Sequence, residues 1–299
     1  MEIILLGTSS MVPTANRNHT AALLRHHDET ILIDCGEGTQ RQFRKAKISP
    51  TKMTRILITH WHGDHVLGLP GLIMTLAANH YGRPLLIYGP QGTKANLEKM
   101  FSFFATPTVL SWKAHDIDSG IVFESDDLQI VAYPVKHGIP TLAYRFVEKD
   151  KRKIHMDKLG ALGVKPGKHI GQLQHGNDIT YNGKTISAND VTSLVKGRIV
   201  SFVMDTMFCL GAIDTARDAD LLICEATYTD EMKDEAAERR HMTATDAARI
   251  AKEANVKKLV LTHFSQRYKD VSVHEQEAKD IFPETIVGED FMTISVEFS

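Results

Sequence analysis

The sequence predicts an α+β protein in which two mixed sheets pack face to face and helices cover their outer surfaces. Three observations predict it. Strand-like runs followed by runs of helical spacing occur twice along the chain. Its 299 residues can bury a large core, as one big domain or two moderate ones. No sequence repeat or low-complexity tract divides the chain into modules. A single domain over 1–299 is expected, with an insert at 148–198.

The opening reads as consecutive strands at 2–6, 20–27 and 30–34, the first two separated by a polar, turn-rich stretch at 8–18. Asp34-Cys35-Gly36-Glu37-Gly38-Thr39-Gln40-Arg41-Gln42 then leaves a strand through two glycines into a predicted helix ending near Lys47. Gly36 and Gly38 permit a tight turn and a close backbone approach. An ordinary strand-to-helix turn and a ligand-contacting one fit that stretch equally well. A strand at 55–59 is followed by helical spacing over 67–79 and a strand at 84–88. Next comes a helix over 91–103 whose apolar face is Leu97, Met100, Phe101 and Phe104. Strand character resumes at 128–135 and 142–147, and three short apolar runs lie at 198–204, 221–224 and 258–261. Helices are expected at 230–239, 243–255 and 273–281, and a last strand at 293–298. Thr243-Ala244-Thr245-Asp246 has the pattern of a capping box.

Composition narrows the class. A content of 42% hydrophobic and 24% charged residues is ordinary for a soluble globular protein. No run of about 18 apolar residues occurs, so no membrane span is expected. Met1-Glu2-Ile3-Ile4-Leu5-Leu6-Gly7 lacks the basic segment of a signal peptide and reads as the first strand. Cys35, Cys209 and Cys224 show no CxxC spacing and fit small core hydrophobes in a reducing compartment. The cytoplasm is the expected location. A net charge of −2 argues against a surface built throughout for polyanions, although a local basic patch would suffice for one.

The chemistry concentrates in Arg55-Ile56-Leu57-Ile58-Thr59-His60-Trp61-His62-Gly63-Asp64-His65. An apolar run ends, and within six residues the backbone presents three imidazoles and a carboxylate. Strand ends entering loops are where α/β scaffolds gather functional groups. This donor set suits borderline divalent metals, above all zinc. His60 and His62 can converge on one ion while Asp64 and His65 turn towards a second. Three later strand-like runs also end in a metal-competent residue: His137, Asp205 and His263. Each alone is more often structural; together with the histidine loop they complete a dinuclear set.

The histidine run resembles the His-x-His-x-Asp-His signature of the metallo-β-lactamase superfamily. The resemblance implies an αββα sandwich in which His60, His62 and His137 hold one zinc. Asp64, His65 and His263 hold the other, and Asp205 bridges them. Manganese or cobalt can substitute for zinc. Two divalent ions with two ionised aspartates leave formal positive charge, which attracts a phosphodiester anion. Metal-bound water loses its proton near neutral pH and supplies the nucleophile, here a hydroxide bridging the ions.

Within that superfamily the chain is similar to the tRNase Z family, short form, over nearly its whole length. Pro13-Thr14-Ala15-Asn16-Arg17-Asn18 resembles the family's Pro-x-Lys-x-Arg-Asn loop, with Ala15 where lysine is usual. Asp34-Cys35-Gly36-Glu37-Gly38-Thr39-Gln40 matches a second motif, and His241-Met242-Thr243 resembles a His-Ser-Thr loop with Met242 in place of serine. The resemblance implies a zinc endoribonuclease that cuts the 3′ trailer from precursor tRNA, leaving a tRNA 3′-hydroxyl and a trailer 5′-phosphate. It also implies a homodimer in which one subunit's arm clamps tRNA for the other's active site. Arg17, Asn18, Gly36, Thr39 and Gln40 become candidates for substrate binding.

The connection at 148–198 is too long for an ordinary link between strands. It carries ten Lys/Arg against five Asp/Glu, a basic segment in a chain of net −2. Gly160-Ala161-Leu162-Gly163-Val164-Lys165-Pro166-Gly167-Lys168 resembles the Gly/Pro-rich tip of the family's flexible tRNA-binding arm. Lys165 and Lys168 are then candidate phosphate contacts, supplying affinity and orientation without reading sequence.

For catalysis, Asp64 is placed to orient or deprotonate the attacking water while ligating. Glu225 can hydrogen-bond His241 and keep it protonated, so that the imidazolium donates to the departing 3′ oxygen. The main alternative is another hydrolase of this fold, a small phosphodiesterase or a glyoxalase II-like thioesterase, which would have no use for a basic insert.

Overall fold

Period-two alternation in the first strand shows how the layers arise. In β1 (Glu2–Gly7), Ile3 and Leu5 enter one apolar cluster while Ile4 and Leu6 enter another. A strand that buries both faces must lie between two layers. The computed structural model, which describes residues 1–104 and 110–298, has four such layers.

The chain continues through β2 (Ala21–His26), β3 (Glu29–Ile33), α1 (Thr39–Lys45), β4 (Arg55–Leu57), α2 (Gly63–Val66) and α3 (Leu69–Ala78). β5 (Leu85–Pro90), α4 (Thr93–Ser102) and β6 (Trp112–Ile117) complete the first half. The second sheet opens with β7 (Gly120–Glu124), β8 (Leu128–Val135) and β9 (Thr141–Glu148). An inserted segment follows, with β10 (Lys151–Ile154), α5 (Met156–Ala161), α6 (Gly171–Gln174), β11 (Ile179–Tyr181), β12 (Lys184–Ile186), α7 (Ala188–Val191) and β13 (Thr192–Val195). The sheet resumes with β14 (Ile199–Val203), α8 (Leu210–Ala216), β15 (Leu221–Glu225), α9 (Lys233–Arg239) and α10 (Ala244–Glu253). It ends with β16 (Leu259–Thr262), α11 (Ser272–Lys279) and β17 (Thr285–Val287), before β18 (Thr293–Ser295) returns to the first sheet.

The strand orders are β18-β1-β2-β3-β4-β5-β6 and β17-β16-β15-β14-β9-β8-β7. Both sheets are mixed: β3 to β6 and β14 to β17 run parallel, and their partners at the other end are antiparallel. Between the sheets, Leu5, Leu24, Ile33 and Leu57 meet Ile130, Tyr144, Phe202 and Val260. Outside, α1, α3 and α4 cover the first sheet with Phe43, Leu72 and Leu97, and α8, α10 and α11 cover the second with Ile213, Ile250 and Ala278. Two hydrogen bonds pin the sheets together beside the histidine run. Tyr144 Oη donates to Ile58 O at 2.7 Å, and Leu142 N to Thr59 O at 2.9 Å.

The predicted sandwich is therefore the observed one, and the differences are local. Besides the four strands of the insert, three strands were not predicted, β6, β7 and β17, and all three are edges of the main sheets. Edge strands carry polar residues, as Trp112-Lys113-Ala114-His115-Asp116-Ile117 does, and the apolar runs of β7 and β17 are only three and two residues long. The short helix α8 was also unread. On α4, Leu97 is buried and Met100 and Phe101 pack at the core margin, but Phe104 lies beyond the helix end and is 37% exposed. The capping box forms as expected: Thr243 Oγ1 accepts from Asp246 N, and Asp246 Oδ2 from Thr243 N, both at 3.3 Å.

The insert lies outside both sheets and has its own small core of Leu159, Val164, Ile170, Leu173, Ile179 and Val191, among others. β10 pairs with β13, so the segment leaves and re-enters as an antiparallel ribbon. Glu148 N donates to Arg198 O at 2.9 Å across the root of this ribbon.

Candidate metal centre

Four strand ends converge. Beyond β4 the chain reaches His60, and His62 then caps α2, whose single turn carries Asp64 and His65. The sequence placed all four residues in a loop after the strand; Asp64 and His65 instead lie in a helical turn, Gly63–Val66. His137 comes from the β8–β9 connection, Asp205 follows β14, and His263 follows β16. Asp34, Asp205 and His263 have left-handed backbones, with φ of 56°, 39° and 62°. Residues with side chains rarely adopt this region, and such strain persists where surrounding structure over-determines it.

The donor atoms form two groups that share Asp205. In the first, His62 Nδ1 lies 3.0 Å from His60 Nε2 and 3.2 Å from His137 Nε2. Asp205 Oδ2 is 3.4 Å from His60 Nε2 and 4.0 Å from His137 Nε2. In the second, His65 Nε2 and His263 Nε2 are 3.2 Å apart, and each is 3.5 Å from Asp64 Oδ2. Asp205 Oδ1 is 3.3 Å from the former and 3.1 Å from the latter. Ligands on a tetrahedral zinc with bonds of about 2.0–2.2 Å are spaced by roughly 3.3 Å. Buried Asp205 Oδ1 has no hydrogen-bond donor among the described residues. An oxygen left in that state is costly unless a cation meets it. Both groups fit a divalent ion.

The outer contacts set the tautomers. His137 Nδ1 donates to Arg240 O at 3.0 Å, which leaves Nε2 as a free lone pair facing the centre. His263 Nδ1 donates to Thr227 Oγ1 at 2.9 Å, and that hydroxyl donates to Glu225 Oε2 at 2.6 Å. His65 Nδ1 lies 2.7 Å from Asp34 Oδ2, and Asp34 also accepts from Thr59 N and Thr59 Oγ1. Partners of this kind orient ligating histidines and raise their basicity.

Electrostatics agrees with the donor set. Burial opposes charge on His65, but Asp205, Asp34 and Asp64 outweigh it and hold the imidazole well above its ordinary pKa. His60 is driven well below its ordinary value by burial and by His65. Burial works against ionised Asp64 and Asp205, yet the surrounding histidines keep both carboxyls below the usual carboxylate range. The centre is rich in negative charge that a cation would neutralise.

Beside it stands a carboxylate–imidazole pair. Glu225 is wholly buried, not on the surface as a lone glutamate usually is. Both of its oxygens lie 3.1 Å from His241 Nδ1, and Oε1 also accepts from Thr206 N at 2.6 Å. Burial lowers the affinity of His241 for its proton, but Glu225 more than compensates and pushes its pKa up to about 9. His241 faces a cleft of about 260 Å³ together with His62, Asp64, His137, Asp205 and His263.

The seven candidate substrate-binding residues are placed differently, and none lines this cleft. Arg17 Nη1 donates to Thr8 Oγ1 and Gly288 O, both at 2.8 Å, with its guanidinium over Phe264. Asn18 donates to Asp290 Oδ2 and Glu37 O, Thr39 Oγ1 to Gly36 O, and Gln40 to Thr75 Oγ1. A Cβ on Gly36 would meet Asp64 O at 2.3 Å. Of these five, Gly36 alone packs directly against the histidine run, and the other four make their hydrogen bonds with neighbouring loops and α3. Lys165 and Lys168 are exposed on the insert. The cleft rim is instead Met11, Val12, Tyr228, Arg239, Gln266 and Arg267, which sequence reasoning missed. The one available signal was adjacency: Gln266 and Arg267 follow directly on the segment that begins with His263.

The chain is 43% identical over 298 residues to a ribonuclease Z of Methanothermobacter thermautotrophicus, covering 99% of this chain and 97% of that one. It belongs to the ribonuclease Z family. Among solved structures, human tRNase Z, short form, superposes with a TM-score of 0.74 at 29% identity, with all of both chains covered. The metallo-β-lactamase fold protein YhfI from Bacillus subtilis shares the fold, at a TM-score of 0.70 and 19% identity over 98% of each chain. The profile of a family described as anti-Pycsar protein Apyc1 matches residues 1–102. That span ends before His137, Asp205 and His263, so it covers only part of the donor set. The ribonuclease Z relationship covers all of it.

Proposed function

We propose that this chain is a metal-dependent endoribonuclease that removes the 3′ trailer from precursor tRNA, leaving a 3′-hydroxyl on the tRNA and a 5′-phosphate on the trailer. Membership of the ribonuclease Z family over nearly the full length carries the reading, and the seven-residue donor set supports it. His60, His62, His137 and Asp205 would hold one ion, and Asp64, His65, His263 and Asp205 the other. Zinc is proposed as the metal, with manganese or cobalt able to substitute. When bound, such a pair supplies an acidified water as nucleophile and neutralises charge on the phosphate.

The chain's own groups do the rest. The free lone pair on Asp64 can orient the attacking water. His241, kept protonated by Glu225, can pass its Nε2 proton to the departing 3′ oxygen, while Glu225 retains the charge that stabilises the imidazolium. Thr206 N anchors Glu225 one residue after Asp205, so one backbone hydrogen bond links the carboxylate behind His241 to the segment that carries Asp205.

We read the chain as one domain over 1–299 whose insert at 148–198 is the tRNA-binding arm, with Lys165 and Lys168 among its phosphate contacts. The excess of basic residues there supports this. We also propose a homodimer in which the arm of one subunit serves the other. A cytoplasmic location is proposed from three free, buried cysteines; no helix among the described residues is long and apolar enough to cross a membrane. Incubating purified protein with end-labelled precursor tRNA and mapping the cut tests the reading. Cleavage after the tRNA moiety supports it. Turnover of a small phosphodiester or thioester with intact precursor would replace it with another hydrolase of this fold.

A further inference from the structure

Helix α9 ends on Arg240, whose backbone is left-handed, with φ 60° and ψ 44°. Helices usually close on glycine at this position, because a Cβ opposes the conformation. His241 N then returns to Ala236 O at 2.8 Å and completes the cap. The carbonyl of Arg240 and the ring of His241 therefore leave the helix end in set directions. That carbonyl accepts from His137 Nδ1 at 3.0 Å, and Nη1 of the same Arg240 donates to the backbone carbonyl of His137, also at 3.0 Å. Two residues 103 apart hold each other by bonds of opposite sense. The guanidinium is exposed, and among the described residues no carboxylate pairs with it.

On its other side the β8–β9 connection is held through Lys136, whose N–H is accepted by Thr206 Oγ1 at 3.0 Å and whose carbonyl accepts from Met207 N at 2.9 Å. His137 thus sits between a tether beside Asp205 and a clasp beside His241. Without the guanidinium, the ring's own hydrogen bond and its contact with the His241 ring, centroids 5.1 Å apart, would be left to hold the His241 side.

We propose that Arg240 is a positioning residue for the metal centre: its carbonyl sets the tautomer of His137, and its guanidinium fixes the backbone that aims Nε2 at the His60–His62 group. The same clasp ties that ligand to the segment carrying the proton donor. The inference rests on the metal reading of the donor set, and its test separates the two.

Wild type, Arg240→Gly and Arg240→Lys are stripped of metal and titrated with zinc against a chromophoric chelator. Glycine favours the same backbone, so Arg240→Gly keeps the cap, and thermal unfolding of the metal-free protein should match or exceed wild type. The expected result is two zinc ions in every protein, with one binding step weakened about 10- to 100-fold in Arg240→Gly, the usual scale for losing an outer partner of a ligand. The other step stays unchanged, and Arg240→Lys falls between. Unaltered affinity for both ions in Arg240→Gly overturns the clasp, as does equal weakening of both. A higher KM for precursor tRNA at unchanged zinc affinity makes Arg240 a phosphate contact and also overturns it. Fewer than two ions in the wild type overturns the metal reading and the clasp with it.

Discussion

Asp34 Oδ2 lies 2.7 Å from Nδ1 of His65, and both side chains are wholly buried. Asp34 stands at the end of β3 with a left-handed backbone, and two donors of Thr59 hold its carboxylate in place. One residue thus orients a ligand and ties β3 to the end of β4. Asp34→Asn should keep the fold, because the amide oxygen can still accept from Thr59. It should weaken metal binding about 10- to 100-fold by removing the charge behind His65. Chelator competition measures this, and wild-type affinity in the variant would exclude the role.

Stoichiometry is the second expectation. Elemental analysis of metal-replete protein should find about two transition-metal ions per chain, as two-metal hydrolysis requires. His137→Ala should empty chiefly the His60–His62 group, since His60 and His137 face Oδ2 of Asp205 whereas His65 and His263 face Oδ1. Full activity at one ion per chain would count against the dinuclear mechanism.

Proton donation by His241 is testable by rate and by pH. His241→Ala should slow cleavage ~10²–10⁴-fold, the usual scale for general acid–base catalysis, with metal content nearly intact. An imidazole whose pKa is raised to about 9 is protonated below that pH and loses its proton above it. The cleavage rate should therefore fall on the alkaline side. Bound dications push the pKa downwards, so the fall comes at or below about 9. Glu225→Gln removes the charge that holds the proton and should move the limb towards acid pH. A limb unmoved by that change would assign it to another group.

The insert can be tested separately from the chemistry. Glu148 N and Arg198 O are already bonded at its root, and its apolar residues pack mainly on one another. Replacing residues 151–195 with a short Gly/Ser linker should therefore spare both sheets. Hydrolysis of a small activated phosphodiester should persist, while precursor tRNA cleavage should collapse through weaker binding. Wild-type binding should fall steeply with salt and the shortened protein's more gently, because fewer phosphates are neutralised. Unchanged tRNA cleavage at physiological salt would reduce the insert to a solvated basic segment.

Thr243 offers a check on the fold alone. Thr243→Ala removes the side chain that caps α10 and should cost about 1 kcal/mol of stability, read from denaturant midpoints. The catalytic rate of the folded protein should remain near wild type.

By itself, the sequence determined the sandwich and pointed to seven metal-competent side chains that the structure brings together. Central strands such as β4, β14 and β16 are buried on both faces, so they appear as mostly apolar runs, and His60, Asp205 and His263 each follow within three residues. Local chemistry was legible for the same reason: the capping box at Thr243 and the spacing of His60, His62, Asp64 and His65 lie within a few residues of one another. Tertiary structure alone decided what depends on distant groups. Edge strands gave at most short apolar runs, and the core of the insert is spread over short, polar-rich elements. Arg17 and Asn18 resemble substrate contacts by motif, and only the fold shows that Gly288 and Asp290, some 270 positions away, accept hydrogen bonds from them. The clasp between Arg240 and His137 has no local signature, because each bond joins a side chain to a backbone carbonyl, and every residue has one.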